Sequence, residues 1–271
     1  MAIYIGIYNW MVIALAALTT VLLQILSNMA NDYGDSKKGT DNQERVGPRR
    51  TVQSGEISPE QMKKGVILVV LLTLVSGIAL LYFSFPDNFL LASLFFFIGL
   101  AAIAAAIKYT VGNNAYGYKG FGDFFVLVFF GFVGVLGTYY LNTHSLGWDA
   151  CLPALTLGLL STGVLNLNNM RDMKNDLNSG KHTLASMLGF EKAKVYQVFL
   201  VLGGIASLGF YVFIHFTSYS QVLFLVPVPI LIKDLVTVFK TKDQSQLDPF
   251  LKRLAIGTLL LTIFFGIGLL L

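Results

Sequence analysis

The chain has 271 residues, of which 55% are hydrophobic and only 13% are charged. Soluble domains carry about 25% charged residues, so this composition excludes an ordinary water-soluble domain and predicts an integral membrane protein. The single cysteine, Cys151, excludes an internal disulfide and a cysteine-based metal site. The net charge of +4 indicates orientation in a membrane rather than nucleic-acid binding.

Eight apolar segments are long enough to cross a bilayer, which requires about 20 mainly apolar residues. The first has no basic start and exceeds the apolar core of a signal peptide, so it is interpreted as a true span. The sequence therefore predicts an all-α, multi-pass transmembrane helical bundle in which residues 1–271 form a single domain. In chain order the predicted spans cover residues 8–31, 64–84, 88–108, 123–141, 150–170, 193–214, 220–240 and 254–271.

Positive charges alternate from one loop to the next along the chain. Of the 19 Lys and Arg residues, 18 lie in or beside the loops that follow the first, third, fifth and seventh spans, and only Lys233 lies within a span. Cytoplasmic loops carry the excess of Lys and Arg in membrane proteins. These four loops are therefore predicted to be cytoplasmic, with both ends of the eight-span chain on the outer side.

Two segments of matching pattern follow the first and the fifth span, in the predicted cytoplasmic loops 32–63 and 171–192. Residues 31–39 read NDYGDSKKG and residues 168–176 read NNMRDMKND. They align without a gap at an offset of 137 residues, which pairs Asn31 with Asn168 and Asp35 with Asp172. The alignment predicts an internal two-fold-like repeat with an acidic turn at the same end of each half.

Helical spacing gathers the polar groups of each segment, because residues i and i+4 share one helix face. Asn31 then stacks with Asp35, and Asn168, Asp172 and Asp176 form a ladder over two turns. Carboxylates that meet from two helices repel each other unless a positive charge lies between them. Mg²⁺, which takes one or two carboxylates together with water and phosphate oxygens, would supply that charge. The candidate metal ligands are Asn31, Asp32, Asp35, Asn168, Asp172 and Asp176.

Two further features bear on local structure. Residues 108–123 read KYTVGNNAYGYKGFGD, a polar and Gly-rich stretch that predicts a cap-like loop over residues 108–122. An ordinary connecting loop is the alternative. Two segments predict helix starts: ISPEQ offers Ser58 as N-cap with Gln61 as its capping-box partner, and Asp248–Pro249 repeats the pattern.

Three segments together resemble the UbiA superfamily of intramembrane prenyltransferases, and especially its branch in menaquinone biosynthesis. They are QILSNMANDYGDSKKGTDNQERVGPRR, YTVGNNAYGYKGFGD and LNLNNMRDMKNDLNSGKHTL. The third acid of the first family motif falls at Gly39, which makes Asp41 its candidate replacement. The family has nine spans, and nothing here matches the R-P-x-T-L-P-like stretch of its first. We therefore expect that the first family helix is missing, and restoring it would move the N-terminus to the cytoplasm.

The resemblance implies Mg²⁺-dependent transfer of a polyprenyl group from polyprenyl diphosphate to 1,4-dihydroxy-2-naphthoate. Carbon dioxide and diphosphate are lost, and the product is demethylmenaquinol. It also implies a bacterial plasma membrane location with the site on the cytoplasmic side, and neither nucleic acid nor an obligate protein partner is expected. Asp35, Asp172 and Asp176 are the implied catalytic acids. The diphosphate candidates are Lys37, Arg45, Arg49, Arg50, Lys119, Arg171 and Lys181, and the acceptor candidates are Tyr109, Asn113, Tyr116 and Asp123.

Several alternatives remain open from the residues alone. The basic loops could serve only to bind anionic lipid or to set topology. An enzyme of the same class could use homogentisate, 4-hydroxybenzoate, a porphyrin or a glyceryl phosphate lipid as acceptor. A secondary transporter would also have an internal repeat, although its charged site would lie near the middle of the membrane. The last alternative is a non-catalytic membrane scaffold.

Overall fold

The computed structural model describes residues 1–42 and 46–271, and within these ranges eight helices are long and apolar enough to cross a membrane. Apart from one isolated bridge between two loops, the described residues contain no β structure. The predicted all-helical, multi-pass bundle is therefore confirmed. The long helices are α1 (Trp10–Lys38), α2 (Pro59–Ser84), α3 (Phe89–Lys108), α4 (Gly122–Thr143), α5 (Trp148–Arg171), α6 (Phe190–Ile214), α7 (Tyr219–Lys240) and α8 (Gln244–Leu270).

Shorter helical pieces lie in the loops and at helix starts. A 3₁₀ turn lies in the loop between α3 and α4, and two short α-helices connect α5 to α6. Three of the long helices begin with a 3₁₀ turn, and the middle of α4 is π-helical. In chain order these pieces are Tyr116–Tyr118, Leu127–Leu136 (the π-helical part), Trp148–Ala150, Met173–Asn178, Leu184–Leu188, Tyr219–Leu225 and Gln244–Leu247.

The first acidic segment is a continuation of α1. The predicted span ends at residue 31, but the helix runs on to Lys38 and carries Asp32 and Asp35 on its last turns. It ends at Gly39, whose φ of +74° lies in the left-handed region that favours glycine. The first acidic segment is thus rigid and helical, and the chain turns sharply just after it.

The second acidic segment is less regular than the predicted ladder. Helix α5 ends at Arg171, Asp172 adopts φ −94° and ψ +7°, and Met173–Asn178 forms the next helix. The amides of Asp172 and Asp176 still donate to the carbonyls four residues earlier, at 3.1 and 2.9 Å. The acids of this segment therefore stay close together across a local irregularity at Asp172.

Helix α5 is the most enclosed of the long helices and packs against α4, α6 and α8. Its Leu160 and Leu167 join Val201 of α6 and Leu261 of α8 in the largest buried apolar cluster. Helix α1 packs in turn against α2 and α3. The two helices that carry the acidic segments therefore have mostly different neighbours, and the last turns of α4 also contact α1.

The two predicted helix starts have different outcomes. The Ser58 hydroxyl accepts from the Gln61 amide at 3.2 Å, and the Gln61 side chain accepts from the Ser58 amide at 2.8 Å. This capping box is confirmed. The prediction that Asp248 caps the last helix is wrong, because its side chain makes no cap hydrogen bond and instead accepts from Arg171 of α5.

Helices α4 and α5 touch backbone to backbone through two glycines. A Cβ added at Gly131 would lie 2.6 Å from the Ala154 carbonyl oxygen, and one at Gly158 would lie 2.9 Å from the Leu127 carbonyl oxygen. Such close approach through small residues is the usual way in which membrane helices gain packing energy. The contact leaves no space for a side chain on either helix.

Gly131→Ala is expected to destabilise the protein by about 1–3 kcal/mol, the usual cost of overpacking a tight contact. Gly137→Ala is the matched control, since a Cβ on this other glycine of α4 meets nothing within 4 Å. Thermal unfolding in detergent should show a lower midpoint for Gly131→Ala and no loss for Gly137→Ala. Equal midpoints for the two variants would contradict the close contact.

Candidate active site

The two acidic segments meet at one end of the bundle around a buried lysine. The Lys181 ammonium nitrogen lies 3.9 Å from Asp35 Oδ2 and 3.6 Å from Asp176 Oδ1. All three side chains are almost completely buried. The repulsion expected between acids from two helices is therefore relieved in this structure by an ammonium group of the protein itself.

The pKa values of this cluster reflect burial and mutual charge. Burial raises the pKa of Asp176 to about 6, and the nearby charges of Asp172 and Asp35 add to this effect while Lys181 opposes it. Burial by itself would lower the pKa of Lys181, but the attraction of Asp35 and Asp176 outweighs it, so this pKa is raised. Lys181 is therefore firmly protonated, and it compensates the two acids together.

Arg50 supplies a second positive charge to the first acidic segment. Its Nη1 donates to Asp35 Oδ2 at 2.9 Å and to Asp41 Oδ2 at 3.1 Å. Burial alone would lower the pKa of Arg50, but Asp35 and Asp41 outweigh it and the pKa is raised. The Asp41 side chain is only 1% exposed. Asp41 thus joins the site through Arg50, and its role as a replacement for the acid missing at Gly39 stays a prediction.

Arg171 is the cation of the second acidic segment. Its Nε and Nη2 donate to the two carboxylate oxygens of Asp172 at 3.0 and 2.6 Å, and Nη2 also donates to Asn168 Oδ1 at 2.7 Å. Its Nη1 donates to Asp248 at the beginning of α8. The buried guanidinium therefore connects three polar residues of the site and ties α5 to the last helix.

The remaining metal candidates lie on α1 beside the same site. Asp32 Oδ2 accepts from the Thr51 hydroxyl at 2.6 Å. Asn31 Oδ1 lies 3.3 Å from the Thr110 hydroxyl, which also donates to the Ala30 carbonyl at 2.9 Å. Thr110 thus fixes the last turns of α1 against the loop that follows α3.

The donor set suits a hard divalent cation, although the carboxylates are paired with basic groups. Within the two acidic segments, four buried oxygens lack a hydrogen-bond partner among the described residues, namely Asp32 Oδ1, Asn169 Oδ1, Asn175 Oδ1 and Asp176 Oδ2. Carboxylate and amide oxygens are the ligands that Mg²⁺ prefers. Within residues 1–42 and 46–271, however, no three His, Cys, Asp or Glu side chains form a group able to hold a metal ion. The residues fit the ion chemically, and binding requires some carboxylates to exchange partners.

The loop between α3 and α4 closes over the acidic segments, as the predicted cap requires. Tyr118 Oη donates to Asp35 Oδ1 at 2.7 Å and lies 2.6 Å from Thr40 Oγ1. The Thr40 carbonyl accepts from Asn175 Nδ2 at 2.8 Å. The His182 amide donates to the Tyr118 carbonyl at 3.2 Å, within the isolated bridge that joins this loop to the loop after Asp176. This network joins the cap to both acidic segments.

The structure brings only some of the diphosphate candidates to the site. Arg50, Arg171 and Lys181 lie among the acids, as described above. Lys37, Arg49 and Lys119 are exposed, and the Lys119 ammonium bonds to Asn114 Oδ1 at 3.0 Å. Arg45 lies outside the residues that the structure describes.

Of the acceptor candidates, Asp123 is buried and Tyr109 is partly buried beside it, whereas the other two lie further out. Asp123 is buried at the start of α4, and neither of its oxygens has a hydrogen bond of normal geometry to a described residue. Burial raises the pKa of Tyr109 to about 12, and its hydroxyl feels the charges of Lys181, Asp35, Asp123 and Asp176. Tyr109 packs beside the start of α4, where a Cβ added at Gly122 would lie 3.4 Å from its hydroxyl oxygen.

The other two acceptor candidates are less central. Tyr116 Oη donates to the Ala105 carbonyl at 2.9 Å, and its ring stacks on Phe125 at a centroid distance of 4.1 Å. Asn113 is exposed in the cap. Tyr116 therefore has a packing role in this structure, and Asn113 lies at the surface of the loop.

Sequence reasoning missed Tyr118, Thr40, Thr51, Asn175 and Asp248. Asn175 lies inside the second acidic segment, but its neighbours at helical spacing gave no reason to single it out. Tyr118 and Thr40 meet only because the chain turns at Gly39 and the cap folds back, so no spacing in the sequence could reveal them. Asp248 was interpreted as a helix cap.

These features define a multi-pass membrane protein with a buried acid–cation site at one end of its helical bundle. The family model described as the UbiA prenyltransferase family matches residues 1–257. The chain belongs to this family, and it is an integral membrane prenyltransferase. Family membership favours the enzyme prediction over the transporter and the scaffold.

Three similar proteins carry the name 1,4-dihydroxy-2-naphthoate octaprenyltransferase. The Haemophilus influenzae protein is 46% identical over 268 residues, which cover 97% of this chain and 85% of the relative. The Escherichia coli protein is 42% identical over 265 residues, with the same two coverages. The Mycobacterium leprae protein is 36% identical over 244 residues, covering 90% of this chain and 79% of the relative.

Lys181→Met is expected to lower the unfolding temperature in detergent with EDTA, because it removes the buried charge shared by Asp35 and Asp176. Breaking a buried ion pair from one side costs about 3–5 kcal/mol. Lys192→Met, at an exposed position beyond the second acidic segment, is the control and should unfold as the unmodified protein does. The shared ion pair would be disproved if the two variants unfolded at the same temperature.

Proposed function

We propose that this chain transfers a polyprenyl group from polyprenyl diphosphate to 1,4-dihydroxy-2-naphthoate, with Mg²⁺ as cofactor. The products are demethylmenaquinol, carbon dioxide and diphosphate. The observation that carries the proposal is the convergence of Asp35, Asp172 and Asp176 with three cations at one end of the bundle, namely the buried Arg171 and Lys181 and the partly exposed Arg50. The printed names of the relatives support the choice of acceptor.

The distribution of Lys and Arg among the loops indicates on which side of the membrane the site lies. The loops that carry both acidic segments also carry most of the Lys and Arg residues, and such loops face the cytoplasm. We therefore place the site at the cytoplasmic side of a bacterial plasma membrane. A position at the helix ends also suits a donor whose diphosphate stays in water while its prenyl chain lies in hydrocarbon.

The difficult step is cleavage of the allylic carbon–oxygen bond of the donor. Negative charge develops on the leaving diphosphate and positive charge on the prenyl carbon. Arg50, Arg171 and Lys181 are already held in place by carboxylates, so they can meet the developing negative charge without reorganising solvent. Mg²⁺, when bound, neutralises part of the same charge.

The residues that would hold the ion are the acids and amides of the two segments, as the buried unpartnered oxygens indicate. Arg171 and Lys181 currently bond to these acids. On donor binding we expect their guanidinium and ammonium groups to exchange carboxylate oxygens for phosphate oxygens, which are geometrically equivalent acceptors. The proposed ligands are Asn31, Asp32, Asp35, Asn168, Asp172 and Asp176. Lys37, Arg49 and Lys119 are proposed to attract the diphosphate from outside the site, and Arg45 stays a proposed diphosphate contact.

The acceptor is proposed to bind beside Asp123 and Tyr109, with Tyr116 and Asn113 at the edge of its pocket. The ring carbon that bears the carboxylate forms the new bond to the prenyl carbon as the bond to diphosphate breaks. The carboxylate then leaves as carbon dioxide, and its electron pair returns to the ring. Asp123 can hold or accept the proton of a ring hydroxyl, because it is a buried carboxylate that interacts with Tyr196 but has no hydrogen bond of normal geometry within the described part of the chain.

The proposal is tested by the mass of the product. Purified protein in detergent receives Mg²⁺, prenyl diphosphates of several lengths and dihydroxynaphthoate, with 4-hydroxybenzoate and homogentisate as competing acceptors. We expect a prenylated naphthalene that has lost carbon dioxide, and the preferred chain length appears in the same spectrum. Product formed only from another acceptor would overturn the choice of dihydroxynaphthoate.

Asp35→Asn, Asp172→Asn and Asp176→Asn should each lower kcat by about 100-fold or more, the usual effect of removing a preorganised group that stabilises developing charge. Asp243→Asn is the control, since this exposed acid caps a short helix outside the site and asparagine preserves the cap. Steady-state kinetics in detergent measure the difference. If the three site variants retained the activity of the control, the acids would have no catalytic role.

Asp123→Asn should impair the acceptor side of the reaction, raising KM for dihydroxynaphthoate or lowering kcat while KM for prenyl diphosphate is unchanged. Arg50→Lys should instead impair the donor side, raising KM for prenyl diphosphate or lowering kcat while KM for dihydroxynaphthoate is unchanged. Lysine cannot bridge Asp35 and Asp41 as the guanidinium does. The two KM values of each variant provide the measurement. The assignment of the two pockets fails if Asp123→Asn changes only KM for the donor.

A further inference from the structure

Tyr118 is uncharged, but its hydroxyl, its ring and its backbone all contact residues of the site. Its hydroxyl has one proton, which it donates to Asp35 Oδ1 at 2.7 Å, so Thr40 Oγ1 at 2.6 Å must donate its own proton to Tyr118. The other oxygen of Asp35 accepts from Arg50 at 2.9 Å. The tyrosine and the arginine together fix the orientation of this carboxylate.

The ring of Tyr118 has a separate set of contacts with two positive charges. The Lys38 ammonium lies 3.8 Å from the ring centroid, and the Lys181 ammonium lies 5.7 Å from it. Ammonium groups within about 6 Å of a ring face are attracted by its quadrupole. The ring therefore holds two like charges near one another, where they would otherwise repel.

The backbone of Tyr118 completes the arrangement. Its carbonyl accepts from the His182 amide at 3.2 Å, next to Lys181. Its partner Thr40 accepts from Asn175 at 2.8 Å, next to Asp176. Tyr118 therefore contacts the first acidic segment through its hydroxyl and the loop of the second through its backbone.

We propose that Tyr118 is a positioning residue that orients the Asp35 carboxylate through its hydroxyl and gathers the Lys38 and Lys181 ammonium groups through its ring to receive the donor diphosphate. This inference rests on the proposed function. It divides the residue into two separable parts: the hydroxyl serves the catalytic acid, and the ring serves binding of the diphosphate. Lys38 becomes a diphosphate-binding residue that the sequence pattern did not single out.

Tyr118→Phe and Tyr118→Leu separate the two parts. The phenylalanine variant keeps the ring, so it should bind inorganic diphosphate in EDTA within about twofold of the unmodified protein while kcat falls about tenfold. The leucine variant removes the ring as well, and its Kd for diphosphate should rise about tenfold, as expected for loss of cation–π contacts. Calorimetry in detergent without metal gives Kd, and steady-state kinetics give kcat and the donor KM.

Tyr211→Phe is the matched control, because this buried tyrosine lies near the opposite end of α6 from the acids, with its ring 4.7 Å from that of His215. It should leave kcat and diphosphate binding unchanged. The inference is overturned if both Tyr118 variants match the unmodified protein. It is also overturned if the two variants unfold at a lower temperature but keep the diphosphate Kd and the kinetic constants, per folded molecule, of the unmodified protein.

The same experiment distinguishes failure of the inference from failure of the proposed function. If the unmodified protein prenylated no acceptor, the proposed function would fail, whereas the calorimetric comparison of the two variants would still test the role of the ring. If the unmodified protein made product and the leucine variant bound diphosphate normally, only the role of Tyr118 would be refuted.

Discussion

The structure depends on the compensation of buried carboxylates by cations, and Lys181 links two acids that are far apart in the sequence. Lys181 lies between Asp35 and Asp176, Arg50 connects Asp35 to Asp41, and Arg171 pairs with Asp172. Any one of these acids would be costly at this depth without its partner, because ions lose their hydration on burial. The two halves of the bundle are therefore joined at this end by charge, in addition to apolar packing.

This constraint explains several features of the backbone that have no role in membrane insertion. Helix α1 continues past the apolar stretch so that Asp35 reaches the level of Lys181, and Gly39 then allows the turn that returns Asp41 to Arg50. The bridge between the cap and the loop after Asp176 holds Lys181 at the meeting point. The close contact of α4 with α5 at Gly131 and Gly158 fixes the depth of α5. The length of α1, the turn at Gly39 and the bridge between the two loops thus all help to bring the acids and their cations together.

Much of the fold could be predicted because a bilayer imposes simple rules. Span length and the alternation of basic loops are one-dimensional properties, and the repeated Asn and Asp spacing indicated both acidic segments. The partners of those acids could not be predicted in the same way. Lys181 was one of seven diphosphate candidates, while Tyr118 and Asp248 reach the site only through tertiary folding. Asp248 shows how a local rule fails when a distant arginine offers a stronger partner than the helix amides.

The pairing of acids with internal cations also has a consequence for biogenesis. Because guanidinium and ammonium groups of the same polypeptide neutralise these acids, the bundle can insert and close without importing a counterion from the cell. The acids therefore acquire their counterions from the chain itself as the two halves of the bundle close.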